Sequence, residues 1–172
     1  MSCSKPYFVI RFISIGIVIS LLAFTLSVVA ILLNVTASNN ISGIQAELVG
    51  AGGGIIADGS NVIFDNVLND QSDGISYNIA TGQFVITKPG NYNVAWWTAP
   101  DGAGAATSVS FAVAVNGIPY STASSPIVSV QMAANALVTI DNVPATISLV
   151  NVTGDGVFVP SIPVQAGIVI TK

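Results

Sequence analysis

The chain holds one thiol, Cys3, close to Lys5 near its start. A nucleophilic cysteine needs a neighbouring base, and with no histidine anywhere a Cys–His pair cannot form. Cys3 is left with an intermolecular disulfide, lipid attachment or the role of a passive thiol, and a single cysteine excludes a disulfide scaffold. Asp70, Asp73 and Asp155 fall among turn residues. Calcium takes about six to eight oxygen ligands, and NDQSDG at 69–74 lacks that density, so these carboxylates read as solvated turn caps. Asp58 and Asp65 flank a candidate strand without a readable partner. AGGG at 51–54 is not a phosphate loop, because no Lys-Ser/Thr follows it. Asn34-Val35-Thr36 and Asn151-Val152-Thr153 match the N-glycosylation pattern. The residue types thus predict no enzyme, no cofactor and no metal. Four basic residues and a net charge of −4 also make nucleic acid a poor partner.

The elements carrying these residues divide the chain in three. Its 172 residues allow one ordinary domain and a short extra segment. The chain is 52% hydrophobic and 7% charged, far too apolar for disorder. Lys88 and Lys172 are the only cations after residue 40, against all eight acids. Residues 1–36 predict a hydrophobic helix, 37–54 a Gly-rich linker and 55–172 a β domain. In the linker, Gly50, Gly52, Gly53 and Gly54 read as a hinge before the β domain.

After residue 55, apolar runs alternate with turn residues. Strands are expected at VIF (62–64), GQFVIT (82–87), NYNVAWW (91–97), SVSFAVAV (108–115), LVTI (137–140), TISLVNV (146–152) and GIVIT (167–171). Turns fall at Asp73-Gly74, Thr81-Gly82, Pro89-Gly90, Asp101-Gly102, Asn116-Gly117, Asp141-Asn142 and Gly154-Asp155-Gly156. Turns at this spacing predict an all-β sandwich or jelly roll of roughly eight to ten strands. Trp96 and Trp97 are adjacent, so a strand sends them to opposite faces. One fits inside a sandwich; the other needs a second surface to cover it.

GISYNIATGQFVITKPGNYNVAWW (74–97) resembles the C1q/tumour-necrosis-factor-like jelly roll. The likeness lies in an aromatic strand followed by Gly-x-Tyr: Phe84, then Pro89, Gly90 and Tyr92. FDNV (64–67) looks like the family's first strand, FAVAVNG (111–117) like its central strand and GIVITK (167–172) like its last. The Trp pair and low charge resemble the C-terminal domains of collagen-like exosporium glycoproteins of Bacillus-type spores. Here no Gly-x-y run is present, and an apolar segment stands in its place, as in thin endospore appendage fibres of trimeric jelly rolls. The resemblance implies an antiparallel jelly-roll homotrimer, with Tyr92, Trp96, Trp97, Phe111 and Tyr120 in its core or trimer interface.

Residues 12–33 carry no charge and no proline, and as a helix they would span ~33 Å. The run exceeds the usual apolar core of a secretion signal. A membrane anchor and an assembly plug both remain open. Under the anchor reading, Lys5 and Arg11 keep the N-terminus inside. Gly16, Ser20, Ala23, Ser27, Ala30 and Asn34 form a heptad stripe of small or polar residues along which helices can approach closely. Beside it run large residues, among them Ile15, Ile17, Leu21, Leu22, Phe24, Leu26, Val28 and Ile31. Burying about ten such side chains per chain contributes on the order of 15–30 kcal/mol before ordering costs. The expectation is a structural subunit of an extracellular or spore-surface fibre, held to the spore by an anchoring protein. In it, trimers stack by inserting these helices into a neighbour. The alternative is a trimeric membrane-anchored surface protein, N-terminus inside, that binds a ligand through its jelly roll.

Overall fold

The computed structural model describes residues 41–50 and 53–172, and the expected helix over 1–36 lies outside them. In chain order the strands are β1 (Gly43–Leu48), β2 (Gly54–Ile56), β3 (Asn66–Asp70), β4 (Ile75–Asn78), β5 (Gln83–Ile86) and β6 (Gly90–Thr98). They continue with β7 (Val109–Val115), β8 (Ile118–Ser125), β9 (Met132–Ile140), β10 (Ala145–Asn151), β11 (Val157–Val159) and β12 (Ala166–Thr171). All regular structure among the described residues is strand.

Two five-stranded sheets run β3-β1-β12-β6-β9 and β4-β5-β10-β7-β8, and β11 pairs with β2. Every pairing is antiparallel. The strands alternate as a half-buried ladder requires. In β6, Tyr92, Val94, Trp96 and Thr98 are buried, while the alternate residues Asn91 and Asn93 are exposed. The core joins those residues with Ile44, Val138, Ile168 and Ile170 to Phe111, Val113, Ile147 and Leu149 of the second sheet. Trp96 and Phe111 meet between the sheets with ring centroids 6.2 Å apart. Phe64, Tyr77 and Phe84 form a second aromatic group, the last two with centroids 4.5 Å apart. Asn116 (φ 52°) and Gly117 (φ 78°) both take the left-handed backbone that the tight β7–β8 turn requires.

Two expectations are corrected. Residues 43–48, read as linker, are β1, hydrogen-bonded between β12 and β3. Ile44 and Ala46 point into the core while Gln45 and Glu47 point out, an alternation too short and too polar to stand out from its surroundings. The glycines at 50–54 therefore follow the first strand instead of preceding the domain. FDNV, expected to be the first strand, is not one strand: Phe64 and Asp65 precede β3, which starts at Asn66, and β1 comes before both. Val62 and Phe64 are buried as expected of VIF, but that segment pairs only through the isolated bridge Asn61–Val150. The Phe64 amide donates instead to the Tyr77 hydroxyl at 2.7 Å, and the ladder begins at Asn66.

Candidate functional site

β6 decides the fate of the tryptophan pair. Trp96, 4% exposed, fills the sandwich against Phe111. Trp97 lies on the opposite face of the β3-β1-β12-β6-β9 sheet, half-buried, across the ladder from Gly167. A Cβ on Gly167 would stand 2.5 Å from the Trp97 Nε1, so glycine is what lets the indole lie against the sheet. The result is an open groove of about 550 Å³ on the outer face, lined by Trp97, Ala95, Ala133, Asn135, Val169 and Glu47. Glu47 is the one charged side chain in that lining.

The neighbouring side of the body is apolar and uncovered. β9 and β8 are edge strands of the two sheets. Leu137 on β9 is 67% exposed and Tyr120 on β8 is 55% exposed, with the exposed Ile118 two residues before it. The Tyr120 hydroxyl donates to the Leu137 carbonyl at 3.3 Å, linking the two edges. A shallow, nearly neutral groove thus adjoins an edge of large apolar side chains.

The five aromatics named from sequence separate accordingly. Tyr92, Trp96 and Phe111 are core. Trp97 and Tyr120 belong to the surface just described. The Tyr92 hydroxyl donates to the Lys88 carbonyl at 2.5 Å, and the Lys172 ammonium stands 5.6 Å from its ring centroid. Burial pushes this phenol above its ordinary pKa. Ile118 and Leu137 were missed by sequence reasoning. Their signal was a large apolar residue at an outward position of a strand whose other outward residues include Thr122, Ser124, Asn135 and Thr139.

The carboxylates act as loop clamps. Asp155 accepts from the amides of Ala105 and Gly156, each at 2.7 Å, and these bonds hold its carboxyl below the usual range. Asp58 accepts from the Gly154 amide at 2.8 Å, and Asp65 from the Val49 amide at 2.7 Å. Asp70 accepts from the Ser72 amide at 3.1 Å. Asp73 pairs with Lys88, whose hydrogen bond and charge lower its pKa. Among the described residues, no three His, Cys, Asp or Glu side chains gather where they could hold a metal ion. Of the hinge glycines, Gly50 accepts at its carbonyl from Gln165 Nε2 at 3.0 Å, Gly53 takes φ 66°, and Gly54 opens β2. Gly52 lies outside the described residues, as do Cys3 and every residue named for the self-assembly helix and its seam.

No protein-family model and no curated protein matches the chain. Solved structures do. The globular domain of zebrafish complement 1qA protein is 18% identical, with a TM-score of 0.54 over 77% of this chain and 95% of that one. Murine APRIL at pH 8.0 is 9% identical, with a TM-score of 0.60 over 77% and 99%. The Eiger TNF of S. frugiperda is 13% identical, with a TM-score of 0.54 over 77% and 92%. At these identities the likeness establishes the fold, which is the C1q/TNF-like jelly roll.

Proposed function

We propose that the chain is the non-catalytic structural subunit of a self-assembling extracellular fibre of the spore-appendage kind, built from homotrimers stacked head to tail through their N-terminal apolar segments. The observation that carries this reading is the uncovered pairing of groove and edge. The edge of one copy, with Leu137, Tyr120 and Ile118, would fit the groove around Trp97 of the next, where Glu47 is the one charged side chain. Repeated about a threefold axis, that contact closes into a ring and leaves no outward tryptophan in water. Sparse charge supports the same reading, because a surface meant for burial in an assembly keeps few ions.

Residues 12–33 then supply the joint between trimers. Their apolar side chains need a non-aqueous home, and a neighbouring trimer offers one. Lipid is the competing home, favoured by the length of the run and by Lys5 and Arg11 at its start.

Negative-stain electron microscopy without detergent tests the choice, using the full chain and a version lacking residues 1–40. Ser42 stays in the shorter version, because its carbonyl accepts from the Lys172 amide and its hydroxyl from the Asp73 amide, both at 2.8 Å. The expected result is fibres from the full chain and discrete trimers from the shorter one. Single trimers of the full chain that need detergent to stay dispersed would replace the fibre reading with a membrane-anchored surface protein.

A further inference from the structure

The two ends of the sandwich differ in chemistry. At the base, where residues 41 and 42 lead into β1, stand the only cations among the described residues. Lys88 pairs there with Asp73, and Lys172 Nζ donates to the Pro89 carbonyl at 2.8 Å. The opposite end, the apex, is built from β2, β11 and the loops that hydrogen-bond to them. The β2–β11 ladder sets Phe158 opposite Ile55, so both side chains share one face, while Ile56, Val157 and Val159 turn inward. Ile55 is 64% exposed and Phe158 42% exposed. Beside them lies a shallow cavity of about 400 Å³ lined by Ile55, Ile63, Leu48, Gly53 and Gly54.

The surroundings of this apolar centre are anionic. Asp58 is held by the Gly154 amide, Asp155 by the Ala105 and Gly156 amides, and Asp101 accepts from the Ser129 hydroxyl at 2.6 Å. Asp101 also donates its own amide to the Phe158 carbonyl, which places it next to the exposed ring.

We propose that the apex is the receiving surface for residues 5–33 of a second copy of this chain. The inference rests on the head-to-tail reading above and names the contact that reading needs. Two observations select this occupant. The first is complementarity: residues 12–33 are uncharged and apolar, and Lys5 and Arg11 before them are the only Lys or Arg side chains in the first 40 residues. An apolar strip with a cationic start fits an apolar centre with an anionic rim. The second is position. The segment is tethered at the base, and β6 alone separates base from apex by ~27–30 Å. A head-to-tail stack therefore brings each tethered segment to the apex of the next copy. That contact joins unlike surfaces and does not close on itself, so it propagates.

Two variants of the full chain test this. Ile55→Asp combined with Phe158→Asp changes only exposed side chains. It is expected to leave trimer mass and melting temperature unchanged while raising the concentration needed for fibres at least tenfold. Val143→Asp, an exposed residue of the β9–β10 turn at the base, is the control that keeps its fibres. Separately, Ser161→Cys places a thiol at the apex to pair with the native Cys3. Mild oxidation of assembled material should give a ladder of multimers on non-reducing gels, where the unmodified chain stops at dimers. A fast-migrating monomer would mean that each segment folds onto its own apex, which overturns the proposal. Undiminished fibres from the double Asp variant, with no ladder from Ser161→Cys, would overturn the apex as the joint while leaving the fibre standing. Failure of the unmodified chain to form fibres at all would remove both.

Discussion

Trp96 and Trp97 are neighbours in sequence with opposite environments, and substitution should separate them. Trp96→Ala empties a buried site against Phe111 and should cost about 3–5 kcal/mol of unfolding free energy. Trp97→Ala removes a half-buried ring from the outer sheet face. Its expected effect on chain unfolding is smaller, about 1–2 kcal/mol from lost apolar burial, but it should shift sedimentation from trimer toward monomer. Urea unfolding below the association threshold, compared with sedimentation above it, reads the two effects apart. Gly167→Ala extends the argument, since its methyl group would press on the Trp97 indole and change tryptophan fluorescence. The carboxylate clamps make a pH prediction. Asp155 is lowered by two backbone amides and Asp73 by Lys88. A carboxyl with a depressed folded-state pKa contributes stability above its unfolded value, ~3.9, and loses it as pH falls through the folded value. The urea midpoint should therefore stay level from pH 7 to about 5 and drop below about 4. Asp155→Ala should lower the level part and flatten the drop.

At the scale of elements, legibility followed side-chain patterning. Strands with several β-branched or aromatic residues in a row, such as β6, β7, β10 and β12, were visible because period-2 burial leaves that mark. β1 was not, because its inward face is only three residues long, Ile44, Ala46 and the partly buried Leu48, set among glycine, glutamine and glutamate. β8 was hidden by serine and threonine on an exposed edge, where no apolar stripe is required. The outward tryptophan could be deduced from adjacency alone. Which of the two it was could not, since that depends on the ladder partner, and only Gly167 leaves room for an indole. The position of β1 makes a sharp prediction about truncation. A chain starting at residue 41 should melt as one cooperative unit. A chain starting at residue 49 strips β3 of the one strand it pairs with and exposes the inner edge of β12, and it should be insoluble or unfolded by circular dichroism.

At the scale of the whole molecule, the two proposed joints differ in what holds them, and salt should report the difference. Within a trimer, groove and edge are neutral apart from Glu47. Between trimers, most of the buried surface would come from the uncharged residues 12–33, with Lys5 and Arg11 facing Asp58, Asp101 and Asp155 at the rim. Apolar burial is not screened by salt, whereas rim charges act mainly on the rate of encounter. Finished fibres should therefore keep their length from low ionic strength to about 1 M salt, where the Debye length is ~3 Å, while fibre growth slows over the same range. The small-residue stripe gives the complementary test. Ala23→Arg puts a charged side chain into the seam where helices would meet, and no local carboxylate is available to neutralise it. The jelly roll has its own core and its own proposed trimer contact, so trimers of this variant should persist at unchanged melting temperature. Polymer should vanish from light scattering at every concentration that suffices for the unmodified chain. Polymer of normal length from Ala23→Arg would mean that the segments insert singly, with no packed seam, and the joint would then rest on the apex alone.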